Sequence, residues 1–249
     1  MTMPGHCRIL IDPAPRSGRW NMAVDETLLE SALNDDLCTL RLYEWSEPTV
    51  SRGYFQKPAD TLDEPKFEGL PVVRRLSGGG AILHHHELTY SVAVPKSHEL
   101  ARLPYQLYEV VHRAFIEVLA NPGVDLSLRG ETATETDNHF LCFARSDPND
   151  VLLEGHKILG SAQRRRRGAI LQHGSLILHA SPHAPQFPGL SDHTSMRFPK
   201  ETLEAALSEA VGRRLAATCV TATLSAKELG RAREIVDSNC RTTLQARSQ

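Results

Sequence analysis

Residues 74–95 read RRLSGGGAILHHHELTYSVAVP, which places a glycine-rich loop directly before a strand-like segment. Within Glu87–Pro95 apolar side chains alternate with other residues, and this alternation predicts a half-buried β-strand. The glycine row Gly78–Gly80 removes every Cβ and leaves a series of backbone N–H donors open to a ligand. The adjoining Arg74 and Arg75 can supply fixed positive charge for a carboxylate or a phosphate. A flexible turn with two solvated arginines has the same pattern, so spacing alone leaves both interpretations open.

The residues around the glycine row exclude two common nucleotide-binding motifs. No Gly-Lys-Ser/Thr follows, as a P-loop requires, and a strand-like segment stands where the dinucleotide fingerprint needs a helix. In the triplet His84–His86, only His84 and His86 could share one face of a strand, and no Cys, Asp or Glu recurs at metal-ligand spacing. We therefore predict no metal site and expect His84 to line a pocket.

Working outward, periodicity predicts helices near both ends of the chain and strands in the middle. This order predicts a mixed β-sheet flanked by helices, of the α/β (α+β) class. We expect a single domain over residues 1–249, with a disordered tail from about residue 239. The predicted helices are Trp20–Leu33, Pro104–Ala120, Pro199–Leu215 and Ser225–Val236. The further predicted strands are Leu40–Tyr43, Thr49–Phe55, Pro71–Leu76, the pair Val151–Leu153 and Ile158–Ala162 joined as a hairpin, and Ala169–Leu178.

Composition restricts the class of protein. The chain has 249 residues, 41% of them hydrophobic, and a formal net charge of −2. These values exclude disordered and fibrous proteins and argue against a general polyanion binder. No apolar run approaches the ~20 residues that span a bilayer, and the N-terminus has no secretory pattern. Five dispersed cysteines without a CxxC pair favour a reducing compartment. We expect a cytoplasmic protein that binds neither membrane nor nucleic acid.

The run Arg164–Arg167 is a local concentration of positive charge. No aromatic residues interleave with it for base stacking, so a nucleic-acid patch is not favoured. We expect either a solvated loop or a docking surface for an acidic protein partner.

Two further residues have the chemistry of an activated thiol. Cys142 stands between Leu141 and Phe143, and a lone cysteine in such a setting is by default a small core residue. Lys157 lies in a glycine-containing turn, where a lysine is normally solvated. If the fold placed its ammonium beside the Cys142 sulfur, the thiolate would be favoured and the thiol pKa lowered.

Taken together, the motifs resemble the lipoate–protein ligase/octanoyltransferase branch of the biotin/lipoate protein ligase superfamily. The resemblance begins near Asp12, where DPAPRSGRWNMAVDETLL is typical of the first helix of that family, and continues to about Leu178. It rests on RLYEWSEPTVSRGYFQ (residues 41–56), the stretch at 74–95, and EGHKILGSAQRRRRGAILQHGSLIL (residues 154–178). The order RRxSGGG, HxxELTYS, GxKxxGSAQ and LQHGS is highly specific for this branch.

The resemblance implies a catalytic domain related to class II aminoacyl-tRNA synthetase cores. It also implies that the glycine loop and the GxKxxGSA segment enclose a medium-chain acyl group. The residues that would line this acyl site are Arg75, Ser77, Gly78, Gly79, Gly80 and His84 on one side, and Gly160, Ser161, Ala162, His173 and Gly174 on the other.

Within this branch, Cys142-Phe143 upstream of Lys157 resembles a transferase subclass that holds octanoate as a cysteine thioester. The implied catalytic pair is Cys142 as nucleophile and Lys157 as the partner that lowers its pKa. The implied activity moves octanoate from acyl carrier protein to a lysine of a lipoyl domain or a glycine-cleavage H protein, without a cofactor.

The spelling SGGG is that of the ligases, where the transferase subclass often has TGGR. An ATP-dependent lipoate–protein ligase of the short form, using ATP and Mg, is therefore the alternative activity. A non-catalytic acyl-binding relative is a third interpretation. Consumption of ATP separates the first two, and acyl binding without transfer would identify the third.

Overall fold

The computed structural model describes residues 5–57, 67–120, 124–130, 146–194 and 198–247. Within these ranges, an eight-stranded sheet has the order β11-β1-β2-β6-β10-β9-β8-β7, and a small second sheet has the order β4-β3-β5. The strands are β1 (His6–Ile11), β2 (Cys38–Tyr43), β3 (Thr49–Arg52), β4 (Val72–Arg74), β5 (Ile82–His84), β6 (Glu87–Val94), β7 (Leu126–Leu128), β8 (Val151–Leu153), β9 (His156–Arg166), β10 (Ala169–Ile177) and β11 (Thr218–Thr221).

The large sheet is mixed. Strands β11, β1 and β2 are parallel, whereas the pairs from β2 through β6, β10, β9 and β8 to β7 are antiparallel. The helices are α1 (Gly18–Asn34), α2 (Glu99–Arg102), α3 (Pro104–Leu119), α4 (Leu190–His193), α5 (Lys200–Leu215) and α6 (Ala226–Arg247).

Two helix pairs cover the sheet. Helices α1 and α6 pack together over one face, where Leu28 and Leu171 share a core, and we call this the α1 face. Helices α3 and α5 pack over the opposite face, where Val111 and Leu207 join a larger core, and we call this the α3 face. The mixed sheet flanked by helices is confirmed. Helix α6 continues to Arg247, beyond the Val236 that the sequence predicts.

Strand β6 differs from its prediction. The alternation in Glu87–Val94 predicts a half-buried strand, but all eight residues are buried. Strand β6 lies between β2 and β10 and is covered on both sheet faces, so both sets of side chains face protein. The prediction was wrong because alternating polar residues such as Thr89 are buried with hydrogen-bond partners.

Two tight turns frame β9. Glu154 and Gly155 both have positive φ between β8 and β9, and Arg167 and Gly168 do so between β9 and β10. Positive φ at both central residues is the geometry of a two-residue hairpin turn. The predicted hairpin at 151–162 is confirmed. The loop predicted over Arg164–Arg167 was wrong, because Arg164–Arg166 belong to β9 and the turn begins only at Arg167.

Candidate active site

The glycine row forms a constrained loop between β4 and β5. Gly79 has φ +91°, in the left-handed region that favours glycine. The loop also packs tightly on the segment after β3, where a Cβ added at Gly53 would lie 2.0 Å from the Gly79 carbonyl oxygen. The close backbone approach requires glycine at Gly53, and the positive φ favours it at Gly79.

The buried Arg75 side chain supports this loop from inside. Its Nη2 donates to the carbonyl oxygens of Gly78, at 2.7 Å, and of Gly80, at 2.6 Å. Its Nη1 donates to the Ser51 carbonyl at 2.8 Å. The guanidinium therefore fixes the curvature of the glycine row through hydrogen bonds to the loop's own carbonyls.

The first residue before the glycine row is held by a serine–histidine–aspartate array. Ser77 Oγ lies 2.5 Å from Nε2 of His173 on β10, and His173 Nδ1 lies 3.0 Å from Asp25 Oδ2 on α1. Asp25 also accepts hydrogen bonds from Arg41 and Tyr43. Burial disfavours the Asp25 carboxylate, but the His173 hydrogen bond and the Arg41 charge outweigh it and lower the Asp25 pKa.

A second array, of serine, histidine and glutamate, also supports the loop. His84 Nε2 lies 2.6 Å from Ser51 Oγ, and its Nδ1 lies 2.6 Å from Glu87 Oε1. The ring stacks on Trp45 with centroids 3.8 Å apart. Burial alone would raise the Glu87 pKa, but His84, together with hydroxyl donors that include Ser175, lowers it. His84 is therefore a buried residue that links Ser51, Glu87 and Trp45 behind the loop.

Strands β9 and β10 bring the remaining acyl-site candidates together. Ala162 is the register partner of His173, and Ser161 is the partner of Gly174. A Cβ at Gly174 would lie 2.6 Å from the Tyr90 ring and 2.7 Å from Ser161 Cβ. Glycine at this position lets Tyr90 and Ser161 close over the strand.

Lys157 is not a solvated turn residue. Its Nζ lies 2.8 Å from Asp150 Oδ1, and its side chain is 7% exposed. A Cβ at Gly160 would lie 2.5 Å from Lys157 Cε, so the lysine stem occupies the space that this glycine leaves. Burial raises the Asp150 pKa despite the opposing charge of Lys157. Arg129 Nε, 3.5 Å from Asp150 Oδ2, shares the same carboxylate.

A buried polar network continues from Lys157 across the α3 face. His112 Nδ1 lies 2.5 Å from the Asn149 carbonyl oxygen, and its Nε2 is hydrogen-bonded to Ser161 Oγ. Burial lowers the His112 pKa to about 4, and the nearby Lys157 charge acts in the same direction. His112 is therefore neutral at pH 7, and its Nδ1 donates to the carbonyl.

An apolar pocket adjoins the glycine loop on the far side of β5. It begins at Ala81, directly after Gly80, and its wall includes Leu83, Ile177 and Phe187, with His85 and His179 at its edge. None of the expected acyl-site residues lines this pocket. Within the ranges given above, no cluster of three or more His, Cys, Asp or Glu side chains has metal-binding geometry, and no helix is long and apolar enough to cross a membrane.

The structure therefore groups most of the expected residues into two regions. The loop region comprises Arg75, Ser77, Gly78–Gly80, His84 and His173, and the lysine region comprises Lys157, Gly160 and Ser161. Cys142 lies outside the described residues.

Sequence reasoning missed the carboxylates of both regions, Asp25, Glu87 and Asp150, and also His112. The available signal for Asp25 was a charged residue within one turn of the apolar stripe of α1, in NMAVDETLL. No comparable pattern marks Asp150 or His112. The partners of His112 come from distant segments, and Asp150 meets Lys157 through the turn between β8 and β9.

The chain is similar to known proteins in sequence and in fold. The family model described as the lipoyl protein ligase A/B catalytic domain matches residues 17–195. The octanoyltransferase LipM of Carboxydothermus hydrogenoformans is 37% identical over 172 residues, which are 68% of this chain and 64% of that protein. The octanoyltransferase LipM of Kyrpidia tusciae is 36% identical over 187 residues, 70% of this chain and 67% of that protein. The matched part of the chain thus spans about two thirds of these relatives.

Among solved structures, a bipartite lipoate protein ligase from Thermoplasma acidophilum, described with its E2 lipoyl domain, superposes with a TM-score of 0.70. The superposition covers 94% of this chain and 92% of the archaeal chain at 23% sequence identity. At this identity the similarity shows the fold alone.

Proposed function

This chain belongs to the lipoyl protein ligase A/B catalytic-domain family, and we propose that it is an octanoyltransferase. It transfers octanoate from the thioester of acyl carrier protein to a lysine of a lipoyl domain or H protein. The observation that carries this proposal is the 36–37% identity to proteins named octanoyltransferase over 68–70% of the chain.

The proposed first step forms an acyl-enzyme on Cys142. The thiolate attacks the carbonyl carbon of the carrier thioester, and the tetrahedral intermediate expels the carrier sulfur, which leaves as a thiol after protonation. Backbone N–H groups of the glycine row are the proposed donors to the oxyanion, and the bracing of the loop by Arg75 supports their fixed orientation.

The proposed second step forms the amide. The neutral ε-amine of the acceptor lysine attacks the acyl-Cys142 carbonyl, the C–S bond breaks, and the Cys142 thiolate is regenerated as the amine loses a proton. Since a thioester is already activated, this route uses neither ATP nor Mg. The ligase alternative begins from the free acid and requires both.

Lys157 is the proposed partner of the Cys142 thiolate. The Asp150 carboxylate and the close fit against Gly160 hold its ammonium in one place. A fixed, poorly solvated cation lowers the pKa of a neighbouring thiol more effectively than a mobile one. Arg129 also pairs with Asp150, so this carboxylate neutralises less of the Lys157 charge, and this supports the proposed role.

The experiment combines purified protein with octanoyl carrier protein and an apo acceptor domain, with and without ATP. We expect transfer without ATP, and an octanoyl adduct by intact mass that neutral hydroxylamine releases. Cys142→Ala should form no adduct, whereas the matched control Cys219→Ser, which replaces an exposed thiol on β11, should behave as wild type. Transfer only from free octanoate and only with ATP would establish the ligase alternative instead. Bound octanoate with transfer under neither condition would identify the non-catalytic relative.

A further inference from the structure

The outer side of the glycine loop carries exposed aromatic rings among arginines. Phe55 is 83% exposed. The Arg74 guanidinium lies over the Tyr54 ring at 4.2 Å, and the Arg164 guanidinium lies over the same ring at 4.6 Å. We call these four residues, Tyr54, Phe55, Arg74 and Arg164, the arginine–aromatic surface.

This surface is physically continuous with the loop region. The Tyr54 backbone N–H donates to the Ser77 carbonyl oxygen at 2.8 Å. Phe55 Cδ2 lies 3.9 Å from the position of a Cβ at Gly78. Arg164 follows Ala162 by two residues on β9, so it leaves the sheet on the face that carries His173. A molecule bound here would reach the glycine row directly.

The two guanidiniums on Tyr54 form an unusual arrangement of like charges. Among the residues that the structure describes, neither Arg74 nor Arg164 forms an ion pair with a carboxylate. The ring face attracts each cation, but both lie over one ring, so they are within about 9 Å of each other and repel. An anion bound beside the ring, within reach of both guanidiniums, offsets the repulsion, and the planar arginine forks suit the paired oxygens of a phosphodiester.

We propose that the arginine–aromatic surface docks the thioester donor, an acidic carrier protein whose acyl group hangs from a phosphodiester-containing arm. The phosphodiester binds to Arg74 and Arg164 beside the Tyr54 ring, and Phe55 contacts the carrier. This inference rests on the proposed function for the identity of the donor. The acceptor is the less suitable occupant, because it must present a lysine amine, which this cationic surface repels.

The test compares Arg74→Gln/Arg164→Gln with a control of equal charge change on α6, Lys227→Gln/Arg233→Gln. Donors are octanoyl carrier protein and octanoyl-pantetheine, a small thioester without phosphate. We expect KM for the carrier donor to rise about tenfold in the surface variant, with kcat unchanged and the salt dependence of kcat/KM flattened. Rates with octanoyl-pantetheine, and every parameter of the control, should stay at wild-type values.

Binding of the carrier protein can be measured independently of catalysis. Unacylated carrier protein, with and without its phosphopantetheine arm, is titrated into the wild type and both variants at low salt. Preference for the arm-bearing form in the wild type, lost in the surface variant alone, would support the docking site even if no transfer occurs. Equal binding of both forms, an unchanged carrier KM, or a rise in the acceptor KM instead would overturn it.

Discussion

The loop region and the lysine region are built in different ways from the same kinds of residue. Around the glycine row, two serine–histidine–carboxylate arrays hold the loop, with Asp25 and Glu87 at their inner ends. Both carboxylates have lowered pKa values because several donors surround them. Around Lys157, one carboxylate, Asp150, has a raised pKa because burial is less fully compensated.

This difference indicates a structural role for the arrays behind the loop and a chemical role for the lysine region. Fully satisfied buried polar networks favour a single conformation, as the arrays behind the loop do. An ammonium whose carboxylate partner is shared with Arg129 keeps an electrostatic effect on other groups, as a thiolate partner must. Mutations in the arrays behind the loop should therefore act mainly on stability, and mutations in the lysine region mainly on activity.

The largest expected effect is on stability in the loop region. Asp25→Asn removes a buried charge that Arg41, Tyr43 and His173 share, and should lower the free energy of unfolding by about 3–5 kcal/mol. Asp35→Asn removes the partner of exposed Lys227 and should change it by less than about 1 kcal/mol. Urea unfolding measures both. Equal effects would mean that the array adds nothing beyond surface charge.

Lys157→Met should reveal the opposite behaviour. The apolar stem still fills the space over Gly160, but the charge is lost, so we expect octanoyl transfer to fall about 100-fold. Alkylation of Cys142 by iodoacetamide should require a higher pH, because the ammonium no longer favours the thiolate. Lys227→Met, at an exposed lysine, is the control. If Lys157→Met left the pH dependence of Cys142 alkylation unchanged, Lys157 would not influence the thiol.

A matched glycine pair tests the loop conformation. Gly79→Ala places a Cβ at φ +91° and should lower the free energy of unfolding by about 1–2 kcal/mol and reduce transfer. At Gly78 the nearest atom to an added Cβ is 3.9 Å away, so Gly78→Ala should leave stability near wild type. Calorimetry with transfer rates distinguishes them. Two equally tolerated alanines would show that the loop does not need the left-handed geometry.

The smallest expected effect is the difference in pH at which the buried carboxyl groups titrate. Asp150 should protonate first as pH falls, and Asp25 and Glu87 below their ordinary range of about 4. Lowered native pKa values mean that Asp25 and Glu87 stabilise the fold above their unfolded pKa and lose that contribution as pH falls further. The raised Asp150 pKa has the opposite effect on stability, because protonation of Asp150 as pH falls favours the native state. Carboxyl ¹³C shifts followed by NMR give the order, and Asp25 titrating before Asp150 would contradict it.

The amino-acid sequence by itself determined the fold class, the limits of α1 and α3 to within two residues, and the glycine row. These follow from local rules: apolar periodicity, a proline at a helix start, and the Cβ-free backbone of Gly78–Gly80. The half-buried prediction for Glu87–Val94 failed, because alternation does not reveal whether a second layer covers the polar face.

Only the tertiary structure decided which charged groups meet. Asp25 reaches His173 across 148 positions and Ser77 reaches it across 96, because α1 and the loop both pack on β10. The sequence predicts a solvated Lys157, but in the structure its side chain packs against Gly160 and lies beside Asp150. The arginine run is predicted as a loop, yet Arg164 lies in β9 over the Tyr54 ring, and its neighbour Arg165 lies over the Tyr105 ring. Such contacts depend on register and layer packing, which local patterns do not encode.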